Sequence, residues 1–285
     1  MRFFEKKIFI LFYIILLYSC EIDEKEKIPS YINIEKIELQ TSHYQGTASE
    51  NITDAWVSVN GNFIGVFELP AEFPVMETGE QKIVIKAGIK KNGISASRTI
   101  YPFYEAYEIE KVLETSKITK ISPKISYKEE TIFDWMEDFE SAGISLDTVN
   151  SNSSLMEKID SSVFEGQYSG FTRIKIEDSL FQFKTINKFE KPTNYSETYL
   201  EMNYKNNTEF VIGLIYETET SIKTIPVIYL NKKENWNKIY INLTQTFESY
   251  TEIKTYNLFF AYAKGEEDEI IEPKFYWDNF KLLHF

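Results

Sequence analysis

The chain has 285 residues, a formal net charge of −13 and a single cysteine. An acidic balance of this size argues against nucleic acid or an anionic lipid surface, since both demand clustered Lys and Arg. One cysteine rules out an intrachain disulfide, so each domain must be held by its apolar core. The 22 Phe and 19 Tyr, against 11 Gly and 8 Pro, suit strands and not a low-complexity chain.

The first segment combines Arg2, Lys6 and Lys7 with an unbroken apolar run, Ile8 to Tyr18. That core is too short for a stable span, which needs about 20 apolar residues. Residues 1–19 are therefore expected to be a secretory signal peptide. Ordinary cleaved secretion and an uncleaved anchor are the alternatives, and the polar run Glu21 to Lys27 weighs against the anchor. Leu17, Ser19 and Cys20 resemble a bacterial lipobox, with Tyr18 departing from the usual small residue. The resemblance implies a lipoprotein whose Cys20 is lipidated and becomes the mature N-terminus. Two or three acyl chains would give firm membrane anchoring, where a single chain is marginal. The acidic run after Cys20 loosely resembles the export signal of Bacteroidetes-type surface lipoproteins. It implies a place in the outer membrane facing the exterior.

Residues 20–45 read as a lipidated tether, because Glu21 to Lys27 has almost nothing to bury. Within that span Tyr31 to Gln40 alternates and forms a candidate first strand. Residues 46–130 read as a small β-sandwich. Ala55 to Val59 and Phe63 to Phe67 flank Asn60-Gly61, a strong hairpin signal because both residues tolerate φ > 0. Pro70 and Pro74 break the pattern. Lys82 to Ala87 is a further strand, Lys91-Asn92-Gly93 a turn, and Tyr107 to Leu113 with Lys117 to Tyr127 a last pair. Asn60-Gly61, Ile64-Gly65, Pro70 and Gly79 fall where the PEGA-type β-domain of bacterial envelope proteins has its turn, its Ile-Gly pair, its Pro and its Gly. This stretch resembles that domain, and the resemblance implies a structural or binding module without catalytic residues.

Residues 131–285 carry longer strands. In Tyr199 to Tyr204, Leu200, Met202 and Tyr204 face one way and Tyr199, Glu201 and Asn203 the other. Phe210 to Tyr216 is almost wholly apolar, as expected of a strand buried on both faces or in a sandwich core. Ile239, Ile241 and Leu243 alternate with Tyr240, Asn242 and Thr244. In the closing strand the apolar phase of Phe275 and Trp277 slips by one at Asp278-Asn279 before Phe280 and Leu282, the mark of a β-bulge. Regular turn clusters suggest a jelly-roll sandwich, so the fold class is all-β throughout. Asp138 to Glu140, Glu165 to Gly170, Trp236 to Thr244 and Phe275 to Leu283, in that order, resemble the jelly-roll carbohydrate-binding-module-like domains of bacterial surface proteins. The resemblance implies that the first and last strands lie together. It also implies a structural Ca²⁺, whose ligands here would be Asp138, Glu140 and Asp278, since Ca²⁺ takes six to eight oxygens.

Catalytic chemistry finds little in this sequence. His43 and His284 have no neighbours at zinc spacing, a Ser-His-Asp triad would have to use one of them, and no Gly-rich phosphate loop is present. A non-enzymatic protein is expected. Trp56, Trp135, Trp236 and Trp277 are candidate sugar platforms, although core tryptophans are commoner, and Trp236 and Tyr240 resemble packing positions of the jelly-roll family. Tyr195, Tyr199, Tyr216 and Tyr229 are further candidates on outward strand faces. Two functions stay open: glycan binding through the jelly roll, and a scaffold holding a protein partner in a surface complex.

Overall fold

The computed structural model of this chain describes residues 27–175, 178–193, 196–218, 220–265 and 272–285. The expected signal peptide, Cys20 and Tyr195 lie outside the described residues. Before residue 130 the strands are β1 (Ser30–Ile34), β2 (Glu38–Gln40), β3 (Asp54–Val59), β4 (Asn62–Glu68), β5 (Ala71–Val75), β6 (Gly79–Lys90), β7 (Arg98–Ile100), β8 (Tyr107–Leu113), β9 (Ile118–Ile121) and β10 (Lys124–Ser126). β4-β3-β6-β7 form one antiparallel sheet, with β8 also on β6. Two smaller sheets, β5-β1-β9 and β10-β2, pack with it around a core that includes Ile32, Ile34, Val57, Phe73, Ile83 and Ile85. The β3–β4 hairpin turns at Asn60 (φ 48°) and Gly61 (φ 80°), the left-handed pair its sequence signals.

Three expectations change here. Tyr31 to Gln40 is strand, as its alternation suggests, but as β1 and β2 it belongs to the first unit's core and not to a tether, because Ile32, Ile34 and Leu39 give each strand an apolar side to bury. β8 and β9 do not pair with each other. β8 joins β6 and β9 runs parallel to β1, so the turn at Ser116 (φ 60°) carries the chain from one sheet to the other. Pro74 sits inside β5 and does not break it, since β5 is an edge strand and the missing N–H costs no ladder bond on its outer side.

The later strands are β11 (Ile132–Glu137), β12 (Leu146–Thr148), β13 (Glu157–Ile159), β14 (Ser169–Arg173), β15 (Leu180–Thr185), β16 (Phe189–Glu190), β17 (Thr198–Asn206), β18 (Phe210–Glu217), β19 (Ile222–Leu230), β20 (Lys233–Asn242), β21 (Thr255–Ala263) and β22 (Lys274–His284). A short helix, α1 (Thr244–Ser249), follows β20. They form two six-stranded antiparallel sheets. One, the docked sheet, has the order β13-β14-β22-β17-β20 with β11 on β22. The other, the open sheet, has the order β12-β15-β21-β18-β19 with β16 on β21. Between them Phe181 meets Phe275 at 4.8 Å and Trp277 at 5.5 Å, edge to face. The bulge in β22 is present: Asn203 pairs with Asp278 and Glu201 with Lys281, leaving one extra residue on β22, and Asn279 has φ 50°. Phe275, Trp277, Phe280 and Leu282 all stay in the sandwich core across it. Opening strand β11 lies on closing strand β22, as the jelly-roll resemblance implies.

The docked sheet takes its name from what covers it. Tyr199, Tyr240 and Leu283, on its outer side, share the first unit's core with Tyr101, Phe103, Tyr104 and Tyr127. The turn after β6 lies along edge strand β20: Asn92 N–H donates to Tyr240 O at 2.9 Å, and Asn242 N–H donates to Asn92 Oδ1 at 2.8 Å. At the centre of this contact Glu201 is fully buried. Its carboxylate accepts from Tyr101 Oη (2.6 Å) and Tyr127 Oη (3.0 Å), with Lys238 Nζ 2.8 Å away. Burial acts to raise the pKa of Glu201, but Lys238 and Lys281 outweigh it and hold the carboxyl below its ordinary value. Lys281 donates to Thr47 O at 2.6 Å, and burial lowers its pKa to about 8. The burial of Tyr101, Tyr104, Tyr127 and Tyr240 pushes their phenols well above the usual range.

Candidate functional site

The first unit covers part of the docked sheet's outer face. Among the described residues no such unit covers the outer face of the open sheet. Its inward residues are fixed by alternation: Phe181 and Phe183 on β15, Leu258 and Phe260 on β21, Ile212 and Leu214 on β18. The residues between them therefore face out. Register sets them in rows across the sheet. One row is Gln182–Ala261–Val211–Tyr229, and the next is Lys184–Phe259–Gly213–Pro226. Outward positions of an antiparallel sheet are ordinarily polar, yet here they are Ala261, Val211, Phe259 and Pro226, with Ile215 one step further along β18. Phe210 to Tyr216 is thus not buried on both faces, for Val211 and Ile215 are half-exposed.

Gly213 and Ala261 keep the floor low. A Cβ on Gly213 would lie 2.3 Å from Ile225 O, so only glycine lets β19 close on β18 at the bulge opposite Val227. Tyr229 rises from edge strand β19, 60% exposed. Gln182 stands at the other end of the row, where its Oε1 accepts from Asn150 Nδ2 at 2.6 Å. That bond fixes the amide and leaves Nε2 without a protein partner among the described residues. Between Tyr229 and Gln182 lies a shallow cleft of about 440 Å³, with Thr208 and Glu209 on its rim. Its parts are an exposed ring, an apolar floor and a fixed amide, and none of them is a nucleophile or a paired acid and base.

The expected aromatic platforms fall differently. Trp277 is fully buried and Trp135 nearly so, with Trp135 Nε1 donating to Ser145 Oγ. Tyr199 and Tyr216 are 2% exposed and are not outward platforms: Tyr199 is buried under the first unit, and the Tyr216 side chain packs in the sandwich core. Tyr229 is the one of the four that stands in solvent among the described residues. Trp56 is half-exposed and lies 5.9 Å from Phe63 on the first unit. Trp236 is half-exposed on the docked sheet, but its ring meets Phe164 and Tyr276 edge-on at 62° and 69°, and Lys205 lies over both Trp236 and Tyr276. Lys205 therefore lies against one face of each ring.

Asp138, Glu140 and Asp278 do not assemble as an ion's shell. Asp278 is buried, and its carboxylate accepts from Ser169 Oγ (2.6 Å) and Asn279 N–H (2.8 Å), with Glu165 N–H at 3.5 Å. Burial raises its pKa to about 7 against these hydrogen bonds. Glu140 accepts from the N–H groups of Gln167 (2.8 Å) and Tyr168 (2.9 Å), and Asp138 accepts from Glu140 N–H (3.1 Å). All three therefore bind N–H and O–H donors of the loop before β14 and of their own turns. Among the described residues no three His, Cys, Asp or Glu side chains gather as a set that could hold a metal ion. Calcium asks for six to eight oxygens, and each of these three carboxylates already accepts from a protein donor. His284 lies 3.1 Å from Asp134, a pairing that the sequence did not suggest.

No protein-family model matches the chain, and no curated protein does so. Among solved structures it is similar to one described under the promiscuous specificity of carbohydrate-binding modules of the β-sandwich superfamily, at 11% identity and TM-score 0.39, over 80% of this chain and 84% of that one. It is also similar to a xylan-binding domain of family 22, at 12% identity and TM-score 0.34, over 53% of this chain and 94% of that one. A third is the family 30 module of a cellulosomal cellulase of Clostridium thermocellum, at 11% and 0.35, over 55% and 94%. The architecture is all-β, in multiple sheets, as the sequence leads one to expect.

Proposed function

We propose that the chain is a non-catalytic glycan-binding protein of the cell envelope, and that the open sheet's outer face is its binding surface. One observation carries this reading. A row on the outer face runs from a fixed amide, Gln182, over a small apolar floor of buried Ala261 and half-exposed Val211, to the exposed ring of Tyr229. A sugar ring has an apolar C–H face and an equatorial rim of hydroxyls. It matches an aromatic face beside hydrogen-bonding amides. The experiment is a glycan array probed with the full-length chain in detergent, in wild-type form and as Tyr229→Ala and Gln182→Ala. Signals on a defined glycan class that fall in both variants support the reading. Signals that persist in both, or none in any form, overturn it.

The placement at the membrane rests on sequence features alone. Cys20 directly follows Leu-Tyr-Ser at the end of an apolar core, and on that basis we read it as the lipidated residue of an outer-membrane lipoprotein facing the exterior. The first unit is read as a PEGA-like spacer that carries the jelly roll away from the membrane. Palmitate labelling should vanish in Cys20→Ser, and equal labelling of that variant would rule the anchor out.

A further inference from the structure

Tyr229 borders a second depression. On its other side, a cleft of about 400 Å³ opens between the edge strands β19 and β20 and the β6–β7 turn of the first unit. Its size is in the range of small-molecule sites. Three features separate it from the surrounding surface. First, Lys90, Lys233 and Lys238 line it and no carboxylate does, in a chain whose net charge is −13. Lys238 is neutralised by Glu201, and Lys90 stands 4.0 Å from Glu68, which also binds Arg98. Lys233 has no ion-pair partner among the described residues. Second, amides and phenols, Asn51, Asn92, Asn231, Asn237, Tyr204 and Tyr229, share the lining with aliphatic side chains such as Ile94 and Ile228. Third, both walls are fixed. Asn92 (φ 57°) is held in its turn by its two bonds to β20, and Asn51 Nδ2 donates to Lys238 O at 3.0 Å. A preformed cleft loses little ordering entropy when it is filled.

We infer that this interdomain cleft is a subsite for an anionic saccharide residue, a uronate or a sulfate ester, with Lys90 and Lys233 meeting its charge and the amides its hydroxyls. The inference deepens the glycan reading, because Tyr229 is shared by the two depressions and a polysaccharide crossing it would place neighbouring residues in both. It gives the first unit a share in recognition through the Lys91–Gly93 turn and Lys90. Long-range attraction from the lysines is screened beyond about 8 Å at physiological salt, so the selection acts on groups inside the cleft.

The test uses the full-length chain in detergent on plates coated with polygalacturonate, alginate or chondroitin sulfate. Fully methyl-esterified polygalacturonate serves as the neutral partner of the same backbone. The expected result is tighter binding to at least one acidic polymer than to the neutral one. The Lys90→Ala/Lys233→Ala variant should weaken the acidic polymer about tenfold, as for the loss of one charge-assisted contact. Neutral binding should be unchanged in that variant. Gln182→Ala, on the open sheet, should weaken acidic and neutral ligands alike. Equal affinity for acidic and neutral polymers, or acidic binding untouched by the lysine substitutions, overturns the inference and leaves the sheet-face reading standing. If Gln182→Ala changes nothing while the lysine substitutions abolish binding, the sheet-face reading fails and the cleft stands. No binding to any polymer overturns both.

Discussion

Glu201 gives the sharpest energetic expectation. It is fully buried between the two units, with Lys238 Nζ at 2.8 Å and phenols of Tyr101 and Tyr127 on its oxygens. Glu201→Gln keeps the shape and an acceptor for the phenols, but it leaves the ammonium of Lys238, whose side chain is 2% exposed, without its anion. Removing one partner of a buried pair costs about 3–5 kcal/mol, most of it the burden of the orphaned charge. For a chain of this size each kcal/mol shifts the melting temperature by about 2–4 °C, so a fall on the order of 10 °C is expected. Lys238→Met in the same chain removes the orphan, and the double variant should recover most of the loss. Thermal melts of the wild type, both single variants and the double variant close a double-mutant cycle. A fall of less than about 1 kcal/mol in Glu201→Gln, or strict additivity in the cycle, would refute the reading of this contact as a buried, charge-paired joint.

Asp278 should make stability depend on pH. Its folded pKa of about 7 lies above the usual 3.8, so the folded state holds a proton that the unfolded chain has released. Stability should therefore decline as pH rises from about 4 to 7, and Asp278→Asn should remove that decline. Melts at several pH values check it, and a constant gap between the two proteins would contradict it. A chain starting at residue 46 lacks β1 and β2, and with them Ile32, Ile34, Ile37 and Leu39 of the core. At about 1.5–3 kcal/mol per buried side chain the loss is comparable to a whole domain's stability. Such a chain should be unfolded in its first unit by circular dichroism, while one starting at residue 27 should be native. Chelation with EDTA should leave the melting temperature unchanged, because Asp138, Glu140 and Asp278 bind protein donors. A drop reversed by Ca²⁺ would show that an ion holds this region.

The elements most legible in the sequence were those written in local chemistry. Asn60-Gly61 announced its hairpin, and the phase slip at Asp278-Asn279 announced the bulge, because both are matters of backbone geometry within a few residues. Alternation also separated Leu200 and Met202 from Tyr199 and Glu201. What it could not say is what covers the second side. Tyr199 was read as an outward platform and is instead buried under the first unit, since burial between units depends on contacts about 100 residues away in sequence. A signal was nonetheless present: Glu201, between Leu200 and Met202, and Lys281, between Phe280 and Leu282, each interrupt an apolar run, as buried partners of opposite charge would. The partners of β8 and β9 were illegible for a related reason, because pairing is decided by which sheet edge is free. The open-sheet row was hidden by composition, as Val211 and Ile215 read as core and turn out to face solvent. The lysines of the interdomain cleft come from two distant strands, Lys90 on β6 and Lys233 and Lys238 on β20, and meet only in the fold.

The glycan-binding face is tested most directly by titrating the full-length chain, in wild-type and Tyr229→Ala forms, with the best oligosaccharide from the array. Tyr229 is 60% exposed and outside both hydrophobic cores, so its loss should leave the stability within about 0.5 kcal/mol of wild type. If the sugar face gains as much as a base stacked on an aromatic ring, on the order of 1–3 kcal/mol, affinity should fall by about tenfold or more. An affinity unchanged in a variant that melts like the wild type would contradict the account.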